Sequence, residues 1–420
     1  MRNLPDTAKI NKQNHLEIGG VDLVDLAKEY GTPLFVMDEA TIRSRCRKYI
    51  DSFRKYYPNS DIAFACKALC AAGVIKIVTD EGLCLDVSSG GEAYTALKSG
   101  VDPKKIYFHG NNKSIDELKM AVEAGFGRIM VDTSQEIKNL DAVTRELGRR
   151  AEVMLRINPG IEAHTHEYIK TGLIDSKFGV PRNEIDEAVR FIRAQKLISL
   201  VGFHAHIGSQ IFDTKPFVDE AKLLLELTKR YGTKEINLGG GPGIAYLSSD
   251  EPPDIETYAK IVGDVLRDKT GAKLALEPGR SIVGTAGVTL YTVGAVKDVP
   301  DVRKYVLVDG GMADNPRPIL YKAVYDAKVA NKVNDKPVEK VTIGGRFCES
   351  GDILVRDIKL PEIEAGDLLA VLCTGAYSYS MSSNYNRVPR PAMVLVNNGA
   401  ATLILKRETY DDLIRNDIIL

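Results

Sequence analysis

The stretch Ile129-Met130-Val131-Asp132-Thr133-Ser134-Gln135-Glu136-Ile137, IMVDTSQEI, changes character halfway along. Three β-favouring residues come first. Thr133 and Glu136 then stand at the spacing of a capping box, in which the first and fourth side chains satisfy each other's orphan N–H groups. Downstream, Ile137, Leu140, Val143 and Leu147 recur at helical spacing, and Gly148 suits a helix end. A strand running straight into an amphipathic helix is the building unit of a parallel sheet.

The same unit recurs on both sides. Short apolar runs appear at Ile62–Cys66, Leu83–Val87, Ile106–Phe108, Ile129–Val131, Val153–Ile157, Val201–His206, Ile236–Leu238 and Leu274–Glu277, each followed by a polar or glycine turn and helical spacing. Ser114 and Glu117 repeat the capping box, Gly125 repeats the helix stop, and Ile185, Ala188, Val189 and Ile192 make another apolar face. Eight strands alternating with helices predict an α/β fold, a parallel (β/α)8 TIM barrel over residues 40–285. From 286 to 420 the texture changes to strand-like runs with few helices: Val288–Val293, Tyr305–Asp309, Val338–Ile343, Ile353–Val355, Leu368–Leu372, Met393–Val396 and Thr402–Leu405. These predict a C-terminal all-β domain of sandwich or barrel type. Residues 1–39, with a helix over Asp22–Tyr30 and a strand over Leu34–Met37, are expected to pack with that β domain.

A chain of 420 residues is long enough for two such domains. With 44% hydrophobic and 27% charged residues and a formal net charge of -1, it has no footprint for nucleic acid or an anionic membrane, and points to small-molecule ligands. The polar first twenty residues hold no apolar signal core, and no later run has bilayer-spanning length, so a cytoplasmic location is expected. Six sparse cysteines without metal spacing read as free thiols, with Cys66 and Cys70 in the core.

Barrels carry their chemistry at the C-terminal ends of the strands. There stand Lys67; Asp86 with Ser88, Ser89, Gly90 and Gly91; His109; Arg156; His206 with Ser209; the run Gly239-Gly240-Gly241-Pro242-Gly243; and Glu277 with Gly279 and Arg280. At the mouth, desolvation would favour the neutral amine of Lys67, which a cofactor aldehyde captures as a Schiff base. The glycine run lets backbone amides approach an anion where barrels commonly hold phosphate. Glu277 could keep a pyridine nitrogen protonated, and His206 could cover a flat ring. Together these describe a site for pyridoxal 5′-phosphate. No metal is expected: His204 and His206 share a face, but no cysteine or third histidine is placed to join them, and His164 and His166 fall in a loop.

FACKAL around Lys67, DVSSGGE at 86–92, HGNNKS at 109–114, SKFG at 176–179, HIGSQ at 206–210, GGGPGI at 239–244, EPGRSIV at 277–283, MADNPRPILY at 312–321, CESGD at 348–352 and GAY at 375–377 occur in order over essentially the whole chain. By these motifs the sequence resembles the fold-type III pyridoxal-phosphate decarboxylase family, and within it the group acting on meso-diaminopimelate. The resemblance implies conversion of meso-2,6-diaminopimelate to L-lysine and CO2, the last step of lysine biosynthesis. It implies that Lys67 carries the cofactor, that Asp86 and Gly240 lie against it, that His206 stacks on its ring and that Glu277 pairs with its nitrogen. Ser209, Gly241, Gly279, Arg280 and Tyr377 would cradle its phosphate. Arg280, Arg317 and Tyr321 would grip the distal carboxylate of the substrate, with Tyr377 alongside, and Glu349 would meet its distal ammonium.

The same resemblance implies a head-to-tail homodimer in which the Cys348-Glu349 loop enters the partner's site. A carbanion left by CO2 must be quenched by a proton, and a thiol with an ordinary pKa of about 8.5 can deliver it, which makes Cys348 the candidate donor. After RPILY the chain has Tyr325 where the family often has histidine, a departure that leaves an aromatic hydrogen-bonding side chain. Related decarboxylases that form diamines meet no distal carboxylate, so Arg317 and Tyr321 would lack a purpose in them. Racemases of the fold need a tyrosine base opposite the lysine and lack CESGD, and a non-catalytic relative would be expected to lose the lysine or the phosphate contacts.

Overall fold

The computed structural model describes residues 3–161 and 176–418, and the chain divides into two compact units. One comprises Arg45–Gly243 and Glu251–Ser281; the other comprises Met1–Ser44, Ile244–Asp250 and Ile282–Leu420.

In the first unit the strands Ser60–Ala65, Cys84–Val87, Ile106–Phe108, Arg128–Val131, Ala151–Arg156, Ile198–His204, Glu235–Asn237 and Lys273–Leu276 pair in chain order, all parallel. The eighth closes on the first, with Leu276 opposite Ile62, so the anticipated barrel is complete. In its interior Ala63, Cys84, Tyr107, Met130, Met154 and Ala275, one from each of six strands, form a buried cluster with the small side chains on one side and the large ones on the other.

The helix ends follow the local chemistry. Ser114 Oγ accepts from Glu117 N at 3.2 Å while Glu117 Oε2 accepts from Ser114 N at 2.8 Å, a closed capping box. At Thr133 only half of the expected box forms. Thr133 Oγ1 accepts from Glu136 N at 3.2 Å, but the Glu136 carboxylate accepts from Asp132 N and pairs with Lys113, which is almost fully buried. Glu136 Oε1 is taken by the buried ammonium and Oε2 by the Asp132 amide, which leaves neither for Thr133 N. Cys66 is buried as expected, whereas Cys70 is only half-buried.

In the second unit the long strand Gly287–Val299 is the spine. It pairs antiparallel with Arg303–Val308, Leu368–Val371 and Leu34–Asp38. Leu34–Asp38, buried at all five residues, also pairs in parallel with Ala392–Asn397, so a strand from the start of the chain lies between two from its end. Leu34, Val36, Val288, Leu290, Val306, Val341 and Val394 belong to the core of this nine-stranded sheet. The early helix is Leu23–Tyr30, capped by Asp22 Oδ1, which accepts from Val24 N at 2.8 Å. Strands Lys9–Ile10, Leu16–Ile18, Val21–Asp22 and Ala327–Val329 escaped the sequence reading because two or three residues carry no period.

Candidate active site

Lys67 sits in the turn Cys66–Ala68 directly after the first barrel strand. Its neighbours Cys66 and Ala68 are buried, but Lys67 is exposed, so the desolvation expected of it is not present in the chain itself. The turn is held close to the end of the eighth strand: Ala65 N donates to Pro278 O at 3.2 Å, and a Cβ on Gly279 would lie 3.0 Å from those of Ala65 and Ala68.

Glu277 forms the floor. It is 6% exposed, and its Oε1 accepts from His109 Nε2 at 2.7 Å and from Asn237 Nδ2 at 2.6 Å. Burial opposes its ionisation, yet the charge and hydrogen bond of His109 hold the carboxyl well below its usual range. His204 Nε2 stands 3.3 Å from Oε2 without hydrogen-bond alignment, and burial pushes that imidazole down to about 3, so it is neutral. Asp86 is also buried, its Oδ1 3.7 Å from His109 Nε2; burial and the charge of Glu277 raise it, against His109 and Lys67.

His109, His204 and Glu277 therefore meet, with donor atoms all within 4.8 Å of one another. This corrects the expectation that no third histidine joins His204: it comes from another strand. The trio has the composition of a metal site, and within it Glu277 Oε1 accepts from His109 Nε2 at 2.7 Å. His164 and His166 lie outside the described residues.

His206 lies beyond the end of its strand at His204 and is half-buried. Gly240 N donates to its Nδ1 at 3.2 Å, and burial together with the charges of Lys67 and Arg156 holds its pKa well below the usual value. A neutral ring is thus available for stacking. Arg280 Nε and Nη2 donate to Ser209 Oγ at 3.2 and 3.0 Å. Between them runs the glycine turn: a Cβ on Gly240 would collide with Glu277 O, and Gly241 adopts φ 131, where a Cβ would lie 3.0 Å from Gly208 O. An amine, a hydroxyl and guanidinium beside a bare backbone turn, a neutral imidazole and a buried carboxylate fit a phosphorylated pyridine aldehyde. Asn237 escaped the sequence reading, and His109 was placed at the barrel mouth without a role; a polar side chain at the end of an otherwise apolar strand was the available signal.

The sheet unit carries the remaining candidates. Arg317 opens the short helix Arg317–Tyr321 and is 5% exposed. It donates to the Tyr325 hydroxyl, and its guanidinium lies 4.8 Å over the ring of Tyr246. Tyr325, the departure from the family pattern, is thereby a buried partner of Arg317. Tyr321 is half-buried, its hydroxyl 3.9 Å from Met381 Sδ, and Tyr377 is half-buried at φ 62. Cys348 and Glu349 are exposed; Cys348 N donates to Asn386 Oδ1 at 3.3 Å, and the Tyr385 hydroxyl donates to Glu349. Asp352, 4% exposed, shapes their loop by accepting from Met312 N at 2.6 Å and Phe347 N at 2.8 Å. Side chains on Gly311 or Gly345 would strike that carboxylate.

Residues 39–284 match the family model described as the pyridoxal binding domain of the pyridoxal-dependent decarboxylases. The chain is 48% identical to a diaminopimelate decarboxylase of Bacillus subtilis over 99% of its own length and 98% of that protein's. It is also 48% identical to one of Synechocystis, over 99% and 93%. A crystal structure of diaminopimelate decarboxylase from M. jannaschii in complex with L-lysine superposes with a TM-score of 0.93 at 37% identity, covering 99% of this chain and 98% of that one.

Proposed function

Since the chain belongs to the pyridoxal-dependent decarboxylases, we propose that it removes one carboxylate of meso-2,6-diaminopimelate as CO2 and releases L-lysine. Arg317 carries the choice of substrate. It is a buried cation held only by phenol and ring faces, with no carboxylate against it among the described residues. A buried charge left without a counter-charge is strongly disfavoured, and a guanidinium fork matches a carboxylate. A substrate with a second carboxylate satisfies it; a diamine precursor does not.

Pyridoxal 5′-phosphate, once bound, supplies a conjugated ring that accepts the electron pair left behind by CO2. Every other part of the task falls to the chain. Lys67 Nζ holds the cofactor, and Ser209, Gly240, Gly241, Gly279 and Arg280 bind its phosphate, joined by Tyr377. His206 covers one face, and Asp86 lies beside the amine. Glu277, an anion even though buried, keeps a proton on the ring nitrogen. Arg317, Tyr321 and Arg280 orient the distal carboxylate and Glu349 the distal ammonium. The Cys348 thiol then delivers a proton to the carbon that has lost CO2.

Cys348 and Glu349 are exposed on a loop braced by Asp352, which suits residues that serve a site on another subunit. The working unit of this reading is a homodimer with two shared sites, in the cytoplasm. Among the described residues no helix is long and apolar enough to cross a membrane. Incubating the purified protein and pyridoxal phosphate with meso-diaminopimelate, then measuring lysine and CO2, tests the reading; release of neither would refute it.

A further inference from the structure

His109 has no task in the reaction as set out above, yet the barrel is built around holding it. Its Nε2 meets Glu277 Oε1 at 2.7 Å, and a carboxylate only accepts, so the proton of this bond belongs to the imidazole. With Asn237 Nδ2 also on Oε1 at 2.6 Å, that oxygen has two donors. Oε2 is the oxygen left for a ligand, since His204 Nε2, 3.3 Å away, is not aligned to bond.

The loop that carries His109 leaves it little freedom. His109 N donates to Val87 O at 2.7 Å. Gly110 takes φ 109, with a Cβ there 3.2 Å from Ser88 O. Lys113 Nζ reaches back to donate to Gly110 O at 2.7 Å and Met130 O at 2.6 Å, and pairs with Glu136. Taking an ion pair out of water is costly, and Lys113 is almost fully buried. That cost is intelligible if the geometry it fixes matters to the chemistry.

Resting on the decarboxylase reading, we propose that His109 is a positioning residue: its Nε2–H fixes the Glu277 carboxylate, keeps it ionised, and leaves Oε2 to partner the protonated ring nitrogen of the cofactor. The charged and titratable groups around His109 agree with this. Burial lowers its pKa, but the carboxylates of Glu277 and Asp86 outweigh burial and raise it, with Arg156 opposing them. His204, T-shaped to it with ring centroids 4.8 Å apart, is neutral. Without the His109 N–H, burial meets much less opposition at Glu277. The proton then moves to the carboxyl, and the ring nitrogen loses its anionic partner.

The test measures the dissociation constant of pyridoxal phosphate from the cofactor-stripped, full-length chain between about pH 6 and pH 9, with borohydride trapping at Lys67 as a check on loading. Affinity that is flat with pH is expected for the unaltered chain. His109→Phe should bind about tenfold or more weakly, as for loss of a charge-assisted hydrogen bond, and should acquire a pH-dependent step. His109→Gln keeps an N–H donor and should recover most of the affinity. A Phe variant with unaltered affinity and a parallel profile would overturn the proposal. Should the Phe variant not fold, histidine nitrogen-15 spectra of the stripped chain decide: Glu277→Gln must shift the His109 Nε2 resonance, and an unmoved resonance overturns the pairing. A protein that shows this pairing but releases no lysine from meso-diaminopimelate would refute the substrate reading and leave His109 in place.

Discussion

Lys67 and Cys348 answer for different steps, so their removal should be distinguishable. Lys67→Ala should bring turnover to background and abolish the borohydride-trapped adduct, with mass spectrometry of the peptide spanning 62–69 as the check. Cys348→Ala should lower turnover by about 10²–10⁴-fold, the usual contribution of a positioned acid, while the adduct at Lys67 still forms. Normal turnover in the cysteine variant would remove its role as proton donor. Lys67, Glu277 and Arg280 stood out as candidates in the sequence because the first two end apolar runs and the last two flank a Pro-Gly turn. The role of His109 and the place of Asn237 did not, because both depend on Glu277 arriving from the eighth strand, which only barrel closure accomplishes. Cys70 misled for a similar reason: an apolar neighbourhood in sequence does not say which way a turn faces.

Helix Lys215–Tyr231 shows what an element can hide. Its Glu220 is fully buried and neither carboxyl oxygen has a hydrogen-bond partner. Burial, helped by the charge of Glu277, raises its pKa well above the ordinary carboxylate range. The folded chain therefore binds a proton that the unfolded chain releases. The stability linked to that proton is fully present below the unfolded pKa and is lost as pH rises toward the folded one. Glu220→Leu should stabilise the protein by roughly 1–3 kcal/mol at about pH 8, with the gain shrinking toward about pH 4. Chemical denaturation at both pH values checks this, and a gain that does not depend on pH would exclude the ionisation argument. Amphipathic spacing makes such a helix easy to recognise but does not flag the acid on its inner face. The capping box at Ser114 closed as its sequence implied, whereas the one at Thr133 lost its glutamate to Lys113, a partner 23 residues away.

At the scale of the whole molecule, the shared-site reading makes a mixing experiment informative. Lys67→Ala and Cys348→Ala chains, each inactive alone, should regain about a quarter of normal turnover after equal mixing and subunit exchange, because half the dimers are hybrids with one intact site. No recovery despite proven exchange would count against a site built from two chains. The barrel was legible because its unit repeats eight times, so weak local signals reinforce one another. The sheet's topology was not, since pairing between Leu34–Asp38 and Gly287–Val299 leaves no trace in local periodicity.

That pairing has a bearing on how the protein is made. Leu34–Asp38 leaves the ribosome early, but its neighbours at Gly287 and Ala392 follow only roughly tens of seconds later at ordinary rates of translation. Throughout that interval a largely apolar ribbon waits with both edges open, the kind of surface that chaperones shield and other nascent chains capture. Synthesis halted before Ala392 would leave one edge open for good.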